Sequence, residues 1–591
     1  MKRSLAIAAR LGAAVALLLP AFAADNGADA RKDTQLRAML DEIARAKTLQ
    51  INNLEKPYFV AYAISESDNT AVTASLGGLI NANRLHIRQP TILLRVGDYK
   101  FDNTNSVYTG TARLGLLPID DDYQAIRTQL WLYTDAIYKG SSDQITRKRA
   151  ALRELADHED IPDFSPASPV HVLEAPSELK VNIGHWEDMA RKLSGRFAAR
   201  PDVLESSVAL RGIGSTYRLV NTEGTVIRIP QELSMADIRG SALAADGTRV
   251  WDHDLITVLE PSQLPSEQEL SSRVDDVAAH VDALSKAPQG DDYTGPVLFE
   301  QEAAAQMMAQ ALTDAIRLQR KPVSPPGANV QGADPIESVW ASRIGARVLP
   351  EWLSLVDDPH QKEFQGRVLA GSYDVDDEGV PAERVVLVEK GVLKRFLLSR
   401  QPVRTFNASN GHGRLPGGFG SEAAAIGNLF VQADETVPEA QMKAKLIEMV
   451  KTAGLKYGML IRKIDFPSTA NFEELQTMAR ELQKNGYART LNTPLLAYRV
   501  YPDGHEQLVR AIHFKEFSAK DLRDIRAASD HPYVLNYMNN GSSFDLIDMA
   551  REATSSAVIC PSLLFDSVDL GRTEEQAGRP PIVPPPALTP Q

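Results

Sequence analysis

Cysteine is almost absent from this 591-residue sequence, in which Cys560 is the only one. An internal disulfide is therefore impossible, and packing alone must stabilise the fold. A lone cysteine can be a free thiol, a metal ligand or a small buried side chain. Because Cys560 follows the apolar run Ala557-Val558-Ile559, we expect it to be buried.

Histidine is also scarce: the chain has 11, and the closest two, His505 and His513, are eight residues apart. A helical zinc motif needs two histidines on adjacent turns of one helix, so this spacing excludes it. The sequence also has no Walker pattern, dinucleotide-binding glycine fingerprint or nucleophile elbow. Serine catalysis stays open, because the members of a triad need not be close in sequence.

Basic residues are in deficit, with 64 lysines and arginines against 77 aspartates and glutamates, which gives a net charge of −13. Binding to phosphate backbones requires a basic surface, so nucleic acid is not expected as a partner.

The first residues resemble an export signal. Lys2, Arg3 and Arg10 precede the apolar stretch Leu11–Leu19, and Ala21-Phe22-Ala23 provides a cleavage pattern. Nine apolar residues are too few to span a bilayer.

We therefore predict a cleavable signal peptide over residues 1–23, a periplasmic or secreted protein, and no membrane span after cleavage. The remaining chain is too long for one core. Strands and helices are mixed without regular alternation, which indicates α+β domains. We predict an N-terminal α+β domain over residues 24–290 and a C-terminal domain over 291–571. A proline-rich tail over 572–591 is expected to be disordered.

Helical periodicity is clear in three segments of the first half. Asp33 can cap a helix whose apolar stripe runs over Leu36–Ile43. A second helix is predicted over roughly 123–152. A capping box at Ser266–Glu269 precedes a third stripe that ends at Leu284. This third helix could connect the two domains or belong to the first one.

Two hairpins and a helix are predicted in the second half. Val385–Val388 and Val392–Leu398 flank a Glu-Lys-Gly turn, and Leu495–Tyr501 and Glu506–Phe514 flank a Pro-Asp-Gly-His turn. Between these hairpins, apolar residues at helical spacing predict a helix with Pro438 near its start and Gly454 just past its end.

Three polar segments are candidates for a site. A helix is predicted over residues 297–320, and it contains Gln301, Glu302 and Gln306. Asp374–Gly379 has the spacing of a calcium loop, but its twelfth position is a valine instead of the required glutamate, so an acidic hairpin turn is favoured. In Ser409–Arg414, glycines allow close backbone approach to a ligand. There Asn410, His412 and Arg414 provide polar groups for a binding cleft.

Six short stretches, in the same order over both halves, carry a resemblance to one family. They are Arg95-Val96-Gly97-Asp98-Tyr99, Leu130-Trp131-Leu132-Tyr133-Thr134-Asp135, Tyr293-Thr294-Gly295-Pro296-Val297-Leu298-Phe299-Glu300, Asp376-Asp377-Glu378-Gly379-Val380-Pro381, Ser409-Asn410-Gly411-His412-Gly413-Arg414 and Cys560-Pro561-Ser562-Leu563-Leu564-Phe565.

These stretches resemble the TldD/PmbA family of bacterial metallopeptidases, in particular its exported members. The resemblance implies an N-terminal α+β domain and a C-terminal domain on a curved, barrel-like antiparallel sheet with helices. It also implies that two related subunits, identical or different, pair around a cavity that admits unfolded peptides. Active members bind zinc through a His-Glu-x-x-x-His helix and a distant cysteine. Other members lack that motif and act as the partner of an active subunit.

This sequence departs from the active pattern. Glutamines stand at both histidine places in the register Gln301–Gln306, and without a one-residue shift Glu300 and Ala305 take those places. Amide oxygens are poor zinc ligands, and Cys560 does not match the family's ligand in local context. No cofactor is therefore expected. Glu302 and His412 are the candidate catalytic residues, although Glu302 without a metal would not activate water strongly.

Three functions stay open from the sequence. The protein could bind unfolded peptides, or help to process them with a metal-bearing related subunit. It could instead be an active hydrolase with a non-standard site, in which zinc would enter only by a different ligand set. It could also be a non-enzymatic interaction protein of the envelope. The residues available for the second function are Glu302, His412, His505, Glu506 and Cys560.

Overall fold

The computed structural model describes residues 27–52, 54–109, 114–155, 160–327, 337–466, 491–540 and 553–573. The predicted signal peptide lies outside these ranges, as does the predicted tail from residue 574 onwards. Among the helices of the described ranges, none is long and apolar enough to cross a membrane.

The first half contains a six-stranded sheet in the described ranges, with the order β2-β1-β4-β5-β3 and with β6 also paired to β5. All neighbours are antiparallel except β3 and β5, which are parallel. Long hairpins dominate, because turn residues separate runs rich in β-branched and aromatic side chains. The strands are β1 (Pro57–Ser75), β2 (Gly78–Val96), β3 (His171–Leu173), β4 (Glu205–Asn221), β5 (Val226–Leu243) and β6 (Arg249–Val258).

Four longer helices cover one face of this N-terminal sheet. Along β1, the even-numbered residues Val60, Tyr62 and Ile64 pack against α2 and α3, and Val72 and Ala74 pack against the core that contains α4 and α5. The alternation follows from the two-residue period of a strand. The helices are α1 (Gly27–Ala30), α2 (Thr34–Ala46), α3 (Tyr123–Glu154), α4 (Ile183–Gly195) and α5 (Glu267–Lys286).

The second half is built on an eleven-stranded sheet in the described ranges, with the order β12-β11-β8-β15-β21-β7-β16-β17-β18; β19 and β20 also pair with β21. Small β9–β10 and β13–β14 hairpins lie beside it. The strands are β7 (Tyr293–Phe299), β8 (Leu353–Asp357), β9 (Glu363–Phe364), β10 (Arg367–Val368), β11 (Val385–Glu389), β12 (Val392–Leu393), β13 (Gly413–Gly418), β14 (Ser421–Ala424), β15 (Asn428–Ala433), β16 (Gly458–Ile464), β17 (Pro494–Val500), β18 (Glu506–Val509), β19 (Ile512–Phe514), β20 (Ile525–Asn540) and β21 (Ala553–Arg572).

The α+β class predicted from the sequence is confirmed, with two corrections to the C-terminal domain. The described part of its sheet does not close into a barrel, and it is mixed, because β15 runs parallel to β21 and β16 runs parallel to β7. A helix over 297–320 is wrong at both ends: Val297–Phe299 belongs to β7, and the helix that follows, α6, covers only Glu302–Leu312. Short apolar runs of this kind suit a buried strand as well as a helix, so periodicity alone does not separate the two.

The helices predicted from caps and periodicity are confirmed. Asp33 caps α2 by accepting hydrogen bonds from two backbone amides, and Ser266 and Glu269 form the capping box of α5. The helix α7 (Glu439–Thr452) begins and ends as predicted. Of the two alternatives for α5, the structure supports a helix of the first half, because most of its buried side chains contact α4, β5 and β6.

The two halves meet through arginines stacked on one aromatic ring. The guanidinium carbons of Arg95 and Arg400 lie 3.7 Å and 3.9 Å from the ring centre of Phe164. Arg95 also donates to Asp102 and to the carbonyl of Gly420, whereas Arg400 donates to the carbonyl of Ser165. These contacts, from residues far apart in sequence, fix the N-terminal sheet against the second half.

Candidate functional site

The candidate site begins where β7 ends and α6 begins. The backbone leaves the sheet at Glu300 and turns at Gln301, which has a φ of 38° and donates its amide to Ser562 Oγ over 2.8 Å. Glu302 is the first residue of α6 and Gln306 lies one turn later. Gln301 therefore precedes the helix, and the two glutamines do not occupy equivalent helical positions.

The side chain of Gln306 is buried and both of its ends are used. Its Nε2 donates to Glu302 Oε1 over 2.9 Å, and its Oε1 accepts a hydrogen bond of 2.8 Å from the backbone amide of Ile464 on β16. Glu302 is half-buried, and the hydrogen bond from Gln306 is the one that its side chain makes within the described residues. Burial raises the pKa of Glu302, with the nearby charge of Lys463 acting against this.

Lys463 links this part of the second half to the first. It projects from β16, is buried, and donates to Asp252 Oδ1 over 2.9 Å and to the carbonyl of His253 over 2.7 Å. Burial alone would lower the pKa of Lys463, but Asp252 and Glu302 more than compensate and raise it. Asp252 is fully buried and also contacts His280 Nδ1 at 2.9 Å. Although burial disfavours its charge, Lys463 and His280 lower the pKa of Asp252.

A cavity of about 440 Å³ lies between α5 and the start of α6. Arg273 of α5 donates to Asp254 of β6 over 2.7 Å at its edge. Its wall therefore carries both acidic and basic groups, contributed by both halves of the chain. The residues that line it are Asp254, Pro265, Glu269, Ser272, Arg273, Asp276, Val277, His280, Glu302 and Lys463.

Sequence reasoning did not identify Lys463, Asp252, Asp254, Arg273 or His280. One signal was present: Asp-His-Asp stands in the middle of β6, where a sheet strand usually places apolar residues. The pairing of Lys463 with Asp252 joins residues 211 positions apart, which no local pattern indicates.

The Ser409–Arg414 loop is well buried. His412 has no exposed surface; its Nδ1 lies 3.0 Å from two oxygens of Asn410, and its Nε2 lies 3.2 Å from Asp357 Oδ1. Both ring nitrogens therefore face oxygen acceptors, which leaves neither open to a ligand in this conformation. Asn410 is also buried and bonds to the backbone of Leu398 and Phe396. Their role as binding residues stays a prediction.

Arg414, the last residue of this loop, is also buried. Its guanidinium lies 4.1 Å from the ring centre of Tyr373 and donates to the carbonyl of Ser555 over 3.1 Å.

The predicted acidic turn is present as well, since the amide of Gly379 bonds to the carbonyl of Asp376. Apart from the exposed Asp374, the turn is buried or half-buried, unlike a surface turn. The hydroxyl of Tyr217 on β4 donates to the carbonyl of Asp377, so the turn is packed between the two halves.

The five residues available for a non-standard hydrolase are not brought together. Cys560 is buried, as predicted, and its thiol donates to the carbonyl of Pro561. Glu506 pairs with Lys443 and Arg462. His505 stacks on Tyr501. Within the described ranges, no hydrogen bond or ion pair joins the side chains of any two of the five, and only His505 and Glu506 are neighbours in sequence.

Comparison with known proteins identifies the class to which this chain belongs. Residues 292–473 match the model of the PmbA/TldA metallopeptidase C-terminal domain. A metalloprotease of Archaeoglobus fulgidus is 39% identical over 88 residues, 15% of this chain and 18% of that protein. A metalloprotease of Methanothermobacter thermautotrophicus is 26% identical over 206 residues, 34% of this chain and 40% of that protein.

Two solved structures share the fold. One, described as a proposed modulator of a DNA gyrase from Thermotoga maritima, has a TM-score of 0.56 at 17% identity and covers 90% of this chain and 100% of its own. The other, TldE from Thermococcus kodakarensis, has a TM-score of 0.53 at 14% identity with the same coverage. Residues 292–473 therefore form a C-terminal domain of the TldD/PmbA metallopeptidase family, and the chain shares the fold of these two structures. The matched stretch spans only about a fifth of the first curated relatives, 18% and 20%.

The residues at the start of α6 do not fit the zinc ion that the family name implies. Both polar ends of Gln306 are engaged, Gln301 stands outside the helix, and the buried thiol of Cys560 has its pKa raised by burial, which disfavours the thiolate that zinc requires. Within the described ranges, no three His, Cys, Asp or Glu side chains are grouped as a metal site would need.

Proposed function

We propose that this protein is an exported, peptide-binding member of the TldD/PmbA family without a zinc site of its own. In this proposal an unfolded peptide binds in the cavity between α5 and α6. A related metal-bearing subunit, paired with this one, supplies the hydrolysis. Export is supported by the order of charges, apolar core and cleavage pattern in residues 1–23.

One observation carries the proposal: the side chain of Gln306 holds Glu302 and the Ile464 amide at the same time. The place of an imidazole is thus taken by a group with a structural role. Glu302, in contrast, is half-buried and lines the cavity. It is therefore suited to contact a ligand and unsuited, without a metal, to activate water for amide hydrolysis.

The cavity wall supports a peptide as the ligand. A peptide backbone presents N–H donors and C=O acceptors alternately, and it needs both kinds of partner along its path. Glu302 and Asp254 offer acceptors, whereas Lys463 and Arg273 offer donors. A volume of about 440 Å³ is in the range of small-molecule and short-peptide sites.

The test combines metal analysis, binding and hydrolysis. The purified protein should contain far less than one zinc per chain and bind a fluorescently labelled, unstructured peptide by anisotropy. It should release no fragments alone and release them when a metal-bearing family member is added. Glu302→Gln should weaken peptide binding several-fold, whereas Glu267→Gln, on the exposed start of α5, should not.

Two results would contradict the proposal. Stoichiometric zinc together with vigorous hydrolysis by the isolated protein would make it an ordinary active member of its family. Absence of peptide binding, alone and with the related subunit, would remove the assigned role of the cavity.

A further inference from the structure

A row of charges interrupts the apolar, helix-covered face of the N-terminal sheet. On β1, the residues of this face run from Val60, Tyr62 and Ile64 to Glu66 and only later return to apolar side chains. Glu66 lies opposite Arg88 of β2 in the strand register. A well-packed apolar set at these core-facing positions would be at least as stable as paired charges, so stability alone does not account for the row.

Two arginines stand directly opposite each other in this row. Arg218 of β4 is the register partner of Arg228 of β5. Like charges directly opposite on adjacent strands destabilise a sheet. Arg218 is almost completely buried, so solvent does little to screen the repulsion. The protein places one carboxylate between them: Asp33 Oδ2 accepts from Arg218 Nε at 2.9 Å and from Arg228 Nη1 at 3.2 Å.

Each of the two guanidinium groups has N–H donors that are not used in the bonds to Asp33. Arg218 Nη1 donates to Glu66 Oε2 over 3.1 Å, and Arg228 Nε donates to the carbonyl of Glu174 over 2.7 Å. Within the described residues, neither Arg218 Nη2 nor Arg228 Nη2 donates a hydrogen bond. Both atoms keep some exposed surface. These N–H groups are therefore accessible from the adjacent cavity.

That cavity has a volume of about 600 Å³ and lies on the sheet beside the N-terminus of α2. Arg88, Arg218 and Arg228 line its floor, and Leu173 and Pro176 give it an apolar wall. It shares no residue with the cavity between α5 and α6. Its size is that of a site for a ligand of drug-like dimensions.

We propose that this cavity is a second binding site, which takes a small organic molecule or peptide end that carries one carboxylate. The carboxylate receives the free Nη2 donors of Arg218 and Arg228, and the apolar part of the ligand packs on Leu173 and Pro176. Asp33 already shows that the pair accepts a carboxylate between its guanidinium groups. Paired guanidinium donors match the planar carboxylate in geometry.

The surrounding charges favour a ligand with a single negative charge. Four cationic and four anionic side chains line the cavity, so its wall is balanced before a ligand enters. Asp29 and Asp121 lie at its more exposed edge, where a dianion such as phosphate would be repelled. This distinguishes the site from a phosphate site, which would need an excess of arginine or lysine.

The test uses hippurate (N-benzoylglycine) and its amide, which have nearly the same shape and differ in the charge. Calorimetric titration of the full protein at low salt should give saturable hippurate binding, with a dissociation constant on the order of 1 mM or below. Hippuramide should bind at least about tenfold more weakly, because charge-assisted hydrogen bonds are lost. Hippurate, but not the amide, should raise the unfolding temperature.

Variants assign the binding to this cavity. Arg228→Gln should weaken hippurate binding about tenfold, and Arg249→Gln, an exposed arginine on β6 outside the cavity, should leave it unchanged. Glu302→Gln should also leave it unchanged, which separates this site from the peptide cavity. Three results would overturn the proposal: equal binding of hippurate and hippuramide, tighter binding of inorganic phosphate than of hippurate, or no stabilisation of the unaltered protein by hippurate. All three are measured on the unaltered protein, so they apply even if Arg228→Gln fails to fold.

Discussion

Gln306 Nε2 donates a hydrogen bond of 2.9 Å to Glu302 Oε1, one helical turn earlier on α6. The other end of the same amide accepts from Ile464 N, so one side chain ties the helix to β16. A zinc-bound imidazole could not make both contacts, because one ring nitrogen would bind the metal and the other, which carries the proton, could only donate. In this chain, Gln306 therefore holds Glu302 and the start of α6 in place.

Replacing Gln306 by alanine should therefore destabilise the protein. The change leaves the buried amide of Ile464 without a partner, and such a loss costs about 1–3 kcal/mol, with a further contribution from the space left behind. Urea unfolding followed by circular dichroism measures the effect. Gln268→Ala, on the exposed surface of α5, is the matched control and should change the free energy of unfolding by less than about 0.5 kcal/mol.

Much of the secondary structure could be predicted, because its signals are local. The start of α2 depends on Asp33, and the end of α7 depends on Gly454 with a φ of 67°. Both residues act on backbone groups within four positions of themselves. The end of β7 is an exception: Val297–Phe299 is predicted as helix, because three apolar residues show no period. The place of β7 between β21 and β16 depends on strands more than 150 residues away.

The candidate site depended even less on local signals. Asp376-Asp377-Glu378 looks like a solvated turn in sequence, and only the tertiary fold packs it against Tyr217 of β4. In the same way, His412 looks like an open catalytic side chain until the fold places Asp357 next to its second ring nitrogen. The residues next to them in sequence indicate neither their burial nor their distant hydrogen-bond partners.

Lys463 should be essential to the contact between the two halves. It is buried between Asp252 and the carbonyl of His253, both on β6 of the first half. Lys463→Met removes the cation and leaves the buried Asp252 carboxylate with only His280, which should cost about 3–5 kcal/mol. Differential scanning calorimetry should show a lower midpoint. The double variant with Asp252→Asn should recover part of this loss, and strict additivity of the two changes would contradict the coupling.

The acidic turn should make stability depend on pH. Burial raises the pKa of Asp377 to about 6 and that of Glu378 to about 7, the latter despite the opposing charge of Arg400. A carboxyl group whose pKa is raised by folding binds its proton more tightly in the folded state. The resulting stabilisation is complete below the ordinary carboxyl pKa and is lost as the pH rises from about 4.5 to 7.

The measurement is the free energy of unfolding in urea at several pH values across this window. Glu378→Gln should flatten the decline by about 3 kcal/mol, because a neutral amide has no proton to lose. Glu363→Gln, on the exposed strand β9, should keep the full decline. An unchanged slope in Glu378→Gln would show that other groups cause the pH dependence.

Two glycines with similar backbone angles should differ strongly when replaced by alanine. Gly411 and Gly454 have φ values of 74° and 67°. A Cβ on Gly454 would meet nothing within 4 Å, whereas one on Gly411 would lie 2.2 Å from the carbonyl oxygen of Pro381 and 2.6 Å from the Cα of Ala382. Gly454→Ala should therefore cost only the conformational penalty of about 1 kcal/mol. Gly411→Ala must also move the backbone at Pro381 and Ala382, just after the acidic turn, which should add at least about 2 kcal/mol. The conformational penalty of a positive φ is common to both variants. The difference between their free energies of unfolding in urea therefore measures the cost of the contact between Gly411 and Pro381. Equal values would mean that this packing is loose in solution.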